Sequence, residues 1–334
     1  MTEIVVVTLI KTAIILFALL TAFAYLTLFE RVVQARLQAR LGPNRVGPFG
    51  LLQPLADGLK LFFKETSAPA TRDRFLYLAA PVLSLAVAFT AFTIIPVSGP
   101  TDLVVLNHHI SWYVTNTNVG VLFYFALTSL GVYGIFLAGY ASNSKYSLLG
   151  GLRSSAQMIS YEMALGLSLV PVFIVAGSFR LVDIVNAQRT WWFALPLLPA
   201  FIIYMIAGIA ETNRAPFDLP EADTELVAGY HTEYSGMKFA LFFMAEYINM
   251  VIVSSIATVM FLGGWWGPFG ILPGPWWFVL KVIALLYVYV WLRATLPRMR
   301  YDRLMALGWK SLFPLSLAMM MVTAVVVVAA EGTI

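Results

Sequence analysis

Three acidic residues stand where a carboxylate is costly. Glu162 and Glu246 fall inside long apolar stretches, and Glu211 closes a third. An acid at the middle of a bilayer costs roughly 2.5–3.5 kcal/mol on insertion scales, so it is kept for a partner or a task. Glu162 and Glu246 enter from the same face and lie roughly 10 Å deep at 1.5 Å rise per residue. Carboxylates converging from consecutive helices form a polar funnel, and partial burial suits them to take up and release protons near neutral pH. The plainer role stays open for each, a structural hydrogen bond or an ion pair with a nearby Arg or Lys. Lys11 and Lys281, also inside apolar stretches, are candidates for such pairing, or snorkel toward the surface.

The segment 211–238 is the most acidic of the chain. It holds Glu211, Asp218, Glu221, Asp223, Glu225 and Glu233, offset only by Arg214, His231 and Lys238. Pro216 and Pro220 stiffen it, and Leu226, Val227, Tyr230 and Tyr234 give it an apolar side, so it is predicted to be ordered. Arg31 and Arg36 flank the inner end of the first apolar stretch, where headgroup anchoring is their simplest role. There is no phosphate-binding glycine loop, no metal-ligand spacing and no nucleophile–base arrangement. The chain has no cysteine, which removes disulfides and thiolate-held zinc or iron–sulfur centres. Electrons for any redox chemistry must come from a partner chain.

The elements that position these groups follow from composition. Of 334 residues 60% are hydrophobic and 11% charged, against roughly 25% charged in a soluble domain. A bilayer core of about 30 Å needs roughly 20 apolar residues. Eight stretches qualify: 4–29, 75–97, 119–140, 156–176, 193–210, 239–262, 276–296 and 312–330. The chain therefore reads as an all-α membrane protein of about eight transmembrane helices, one polytopic domain over residues 1–334. The first stretch is too long for a signal sequence and reads as a retained helix. Between the first two, residues 50–64 place Leu51, Leu55, Leu59 and Phe62 on one helical face and Asp57, Lys60 and Lys64 on the other, as in an amphipathic interfacial helix. Lys and Arg crowd the segments 31–74, 145–153, 214–238 and 293–310. The positive-inside rule places these in the cytoplasm or an organelle matrix, with both termini on the opposite side. The net charge of +4 is thus a topology signal, with no nucleic acid implied. Trp191, Trp192, Trp265, Trp266, Trp276 and Trp277 read as an interfacial belt.

Two loops carry more. Glu30 to Asp57, with Leu41-Gly-Pro-Asn-Arg-Val-Gly-Pro-Phe-Gly at its centre, and Glu211-Thr-Asn-Arg-Ala-Pro-Phe-Asp-Leu-Pro-Glu-Ala-Asp, continuing to Ser235, resemble the two signatures of the H subunit of the proton-pumping NADH–quinone oxidoreductase, respiratory complex I. Lys145 to Glu162 and Met244-Ala-Glu-Tyr match as well. The resemblance implies the membrane heel of complex I. Such a chain shapes, with two peripheral subunits, a tunnel for ubiquinone or menaquinone, which is bound as substrate. The quinone tail lies between the first helix, the interfacial helix and the sixth, and a partner's iron–sulfur cluster supplies the electrons. The proton-coupling role maps onto Glu211, Glu225, Glu246 and Glu162, with Asp218, Glu221 and Glu233 in the acidic loop. Arg31 and Arg36 match arginines near the tunnel entrance, and Phe217 and Tyr230 are assigned to the tunnel. The partners implied are peripheral-arm quinone-site subunits, small membrane subunits beside the antiporter-like ones, lipid and quinone, in a bacterial inner membrane. Many family members carry a glutamate in the third helix. Here that stretch is Leu127-Thr-Ser-Leu-Gly-Val-Tyr-Gly, without an acid. The membrane anchor of a related ion-pumping hydrogenase shares the helices but need not bind quinone. A stand-alone carboxylate transporter is the alternative of another class, disfavoured by the lack of an internal repeat.

Overall fold

The computed structural model describes residues 2–105, 108–111, 113–218, 227–270 and 273–331. It is helical almost throughout. The elements are α1 (Thr2–Leu37), α2 (Gln53–Phe63), α3 (Arg74–Phe92), a hairpin of β1 (Pro100–Val105) and β2 (His108–Ser111), α4 (Gly120–Ala141), α5 (Lys145–Ala176), the short α6 (Leu181–Ala187), α7 (Leu198–Glu211), α8 (Met237–Phe261), α9 (Pro275–Thr295), α10 (Tyr301–Ala306) and α11 (Phe313–Glu331). The last two run together through a π-helical stretch, Leu307–Leu312.

Among the described residues seven helices are long and apolar enough to cross a bilayer, with α10 and α11 counted as one. The expected fifth crossing differs. Residues 193–197 form turns and only Leu198–Glu211 is α-helical, 14 residues, or about 21 Å. Its companion α6 and the β-hairpin were not expected. Both are too short to show a helical or alternating apolar period.

Sequence and burial agree on an inside-out logic. Phe17, Phe75, Val325 and Val328 are more than 60% exposed, which in water would be an aggregation surface and in lipid is a solvated one. α8 is the most deeply buried long helix and α1 the least. Around α8 pack Tyr161, Leu165 and Leu169 of α5, Tyr204 of α7, and its own Ile248, Ile256 and Phe261, all essentially inaccessible. Asp73 caps α3 by accepting from the amides of Phe75 and Leu76 at 3.0 and 3.1 Å.

The loops are pinned rather than loose. Gly50 has a φ of 79°, and a Cβ there would fall 2.2 Å from the Pro43 carbonyl oxygen, so the turn before α2 requires glycine. The interfacial helix lies somewhat shorter than expected, and Leu55, Leu59, Phe62 and Phe63 leave it apolar and exposed on one side. Asp57 on the other side pairs with Arg31 of α1 at 2.6 Å. Ser67, beyond the end of α2, bonds through its amide to Ser235 Oγ at 2.9 Å. Of the expected tryptophan belt, Trp191 and Trp276 are exposed but Trp265 is core, so the belt holds only in part. Lys281 does not pair with an acid. Its ammonium donates to the carbonyls of Leu262, Gly264 and Trp266 at 2.5, 3.0 and 2.6 Å, satisfying acceptors left open just past the end of α8.

Where the acidic segment rejoins the bundle, Gly150 of α5 lies against the backbone of Gly229 and Tyr230. A Cβ on Gly150 would meet three of their atoms at 2.7 Å. Gly150→Ala is expected to cost about 1–3 kcal/mol by overpacking, lowering the thermal midpoint of the purified complex by a few degrees. An unchanged midpoint would show that this contact does not hold the segment.

Candidate functional site

The centre of the site is a guanidinium. Arg214, just past α7, is 6% exposed. Its Nε meets Glu246 of α8 at 2.6 Å and its Nη1 meets Glu30 of α1 at 3.4 Å. Its Cζ lies 4.2 Å from the ring centre of Tyr247. Glu30 is buried and takes further bonds from Arg293 of α9 and the Tyr247 hydroxyl. Burial alone would disfavour the charge on Arg214. The carboxylates of Glu246 and Glu30, with Tyr247, outweigh it and hold the guanidinium protonated well above its ordinary range. Two acids and two guanidiniums thus join α1, α8, α9 and the loop after α7, and their charges cancel. A buried group of this kind is tolerated only when each member is paired.

Beside it lies a small cavity of about 50 Å³, bordered by Glu211, Glu246, Asn249, Tyr124, Thr128 and Tyr230 and by apolar residues such as Val87, Ile135 and Phe242. That is room for a few waters. Glu211 is 8% exposed, and its Oε2 has no hydrogen-bond partner among the described residues. Glu162 stands off this cavity, half-buried between α4 and α5, where the hydroxyls of Ser129 and Thr128 point to its Oε1. The structure therefore brings Glu211 and Glu246 to one cavity and sets Glu162 one side chain away.

The residues around the acidic segment are ordered on both flanks. Gln157 of α5 donates to the carbonyls of Ala210 and Phe217 at 2.7 and 2.8 Å. Asn213 donates to Ser154 at 3.1 Å, and Ser147 to the carbonyl of Tyr230 at 2.9 Å. Phe217 is buried beside Tyr161, and Tyr230 is buried edge-on to Phe242. Asp218 pairs with Arg298 at 3.0 Å. The backbone carbonyl of Glu233 accepts from Tyr77 at 2.7 Å. Glu221 and Glu225 lie outside the described residues. Arg31 borders a separate polar recess of about 330 Å³ with Gln34, Arg40 and Leu41, and Arg36 is exposed in the last turn of α1.

An apolar cleft of about 560 Å³ runs along α1 between α8 and α9. Ile14, Ala18, Leu26 and Phe29 form one wall, and Val282 and Leu286 face them. No described residue of α2 lines this cleft. Glu30 and Arg293 were not singled out from sequence. A charge at the edge of an apolar stretch looks like an ordinary boundary residue, and only the packing of α1 on α9 shows it turned inward.

The family described as NADH dehydrogenase matches residues 10–324. The H subunit of the NADH-quinone oxidoreductase of Paramagnetospirillum magneticum is 52% identical over 94% of this chain and 90% of its own length. The chain belongs to the family of NADH-quinone oxidoreductase H subunits. The family member of Thermomicrobium roseum is 55% identical over 91% of both chains, and that of Rhodospirillum centenum 51% identical over 93% of this chain and 90% of its own length. In this H subunit the ion cluster and the cavity both fall within the matched span.

Removing the central cation tests the cluster. Arg214→Met leaves Glu30 and Glu246 short of a partner and is expected to cost about 3–5 kcal/mol, seen as loss of assembled complex on native gels. Adding Glu246→Gln should restore part of the assembly, since one uncompensated charge is removed. Full assembly of the single variant would mean that the cluster does not hold α1 and α8 together.

Proposed function

We propose that this chain is the membrane subunit of a proton-translocating NADH:quinone oxidoreductase that borders the quinone site and couples quinone reduction to proton movement. The single observation that carries the reading is the cavity shared by Glu211 and Glu246, flanked by a neutral ion cluster and reaching toward Glu162. Electrons are delivered by a peripheral-arm partner carrying the terminal iron–sulfur cluster. Small membrane subunits beside the antiporter-like ones receive the proton signal. The basic loops face the cytoplasm of a bacterium and the termini the periplasm.

The residues divide the work as follows. Arg31, Arg36, Phe217 and Tyr230 stand on the side from which quinone is approached, and the apolar cleft along α1 suits an isoprenoid tail by its chemistry. A change of charge at the quinone site is felt first by the acidic segment, through Asp218, Glu221, Glu225 and Glu233. The ion cluster gives that signal a lever. Arg214 is shared between Glu30 and Glu246, so a shift of the loop that carries it changes how well each acid is paired. Protonation at Glu246, Glu211 and Glu162 follows that pairing. The resemblance of the interfacial-helix segment to its family signature favours this over the hydrogenase-type anchor, which need not bind quinone.

Purification of the tagged chain in mild detergent tests the assembly. A large complex with inhibitor-sensitive NADH:quinone reductase activity is expected, and a lone, stable, inactive chain would overturn the reading. In that complex, Glu211→Gln keeps the shape of the side chain and removes its acid. It should lower reductase turnover and proton pumping at least fivefold with assembly intact. Glu246→Gln should act in the same direction. Normal pumping in both would take the shared cavity out of the coupling path.

A further inference from the structure

Glu162 and Glu211 do not touch, and what lies between them is Thr128. This side chain of α4 borders the cavity that holds Glu211 and also faces Glu162. Its Oγ1 is 3.0 Å from the carbonyl of Phe125 and 3.5 Å from Glu162 Oε1. A hydroxyl has one proton to give and two lone pairs to receive with. With Glu162 ionised, Thr128 can swing its proton off Phe125 and onto the carboxylate. With Glu162 protonated, the carboxyl donates to Oγ1 and the hydroxyl proton returns to Phe125 or turns to the cavity. Ser129 has the same pair of acceptors, Phe125 at 2.9 Å and Glu162. It is exposed on the outer side of α4, however, and does not border the cavity.

The cavity supplies the other half. Four polar groups on its wall, Glu211 Oε2, Ser84 Oγ, the Tyr124 hydroxyl and Asn213 Oδ1, are buried and have no hydrogen-bond partner among the described residues. Buried polar groups in this state are met by water where the space allows, and about 50 Å³ allows it. Of the side chains on the cavity wall, Thr128 is the one that reaches Glu162 with a hydroxyl.

Resting on the coupling role proposed above, we infer that Thr128 is the hydroxyl link between the water-holding cavity at Glu211 and the carboxyl of Glu162. The transfer balances at the hydroxyl. Oγ1 receives a proton from the Glu162 carboxyl as it gives its own to a cavity water, and the reverse step runs the same way, so Thr128 ends neutral. A third-helix acid is thereby unnecessary in this chain. Thr128 is a positioning and relay residue and touches no redox group.

The test uses the whole complex in inside-out membrane vesicles. Thr128→Val keeps the shape and removes the hydroxyl. It should lower proton pumping at least fivefold, with inhibitor-sensitive turnover falling alongside, and Thr128→Ser should restore most of both. Thr128→Ala, which only removes atoms, should match the valine variant and stands in for it if assembly fails. Ser129→Ala should cost less than either. A protonated Glu162, assigned in redox-difference infrared spectra by Glu162→Gln, should show its carbonyl stretch moved to higher frequency in Thr128→Val. Pumping at the native rate in the valine or alanine variant, with Glu162→Gln defective, would overturn the link and leave the carboxylate path standing. Native pumping in Glu162→Gln itself would overturn both.

Discussion

The bundle depends on one buried guanidinium. Without Arg214, Glu30 and Glu246 would face each other across a protein interior with too little positive charge between them, and α1 would have little reason to stay. The hydrophobic effect does not draw one helix to another inside a membrane, because lipid tails are as apolar as leucine. Close packing and directional polar contacts supply that choice. Here Arg214 and Arg293 supply it for α1, α8 and α9 together. Glu211 stands outside this cancellation of charges, and its Oε2 has no hydrogen-bond partner among the described residues.

Much of this was legible in the sequence, for reasons that differ by residue. Glu162, Glu211 and Glu246 stood out because an acid inside an apolar stretch is costly, and that cost is visible without coordinates. The amphipathic helix after α1 was legible from its period, and the order of the two described flanks of the acidic segment, 211–218 and 227–238, from Pro216, Tyr230 and Tyr234. Glu30 and Arg293 were not, because a charge at a membrane boundary is cheap and common. Lys281 misled for a related reason. Its partners are backbone carbonyls, which have no signature in a sequence. The start of the fifth apolar helix was set five residues early and α6 and the hairpin were missed, because composition does not separate a helix from an equally apolar turn.

The loops divide in the same way. The turn before α2 is marked by its residue types, since Gly47 and Gly50 sit at positive φ, where few other residues fit, and Pro48 has its φ fixed by its ring. The seat of the acidic segment on α5 could not, since the near-contact of Gly150 with Gly229 is a fact about two distant glycines. The family resemblance covered both segments but described neither contact.

The least buried helix has a further consequence. α1 is fixed toward its C-terminal end by Glu30 and Arg31, while the wall it presents to the apolar cleft begins at Ile14, about 24 Å away at 1.5 Å per residue. Mechanically it is a post hinged at its foot. A lean of about 5° there would carry Ile14 sideways by about 2 Å, roughly half a methylene chain's width, and the core residue Leu19 by about 1.4 Å. One wall of the cleft is therefore placed by the tilt of a single rod, and bilayer thickness, which influences the tilt of long apolar helices, becomes a handle on the width of the cleft.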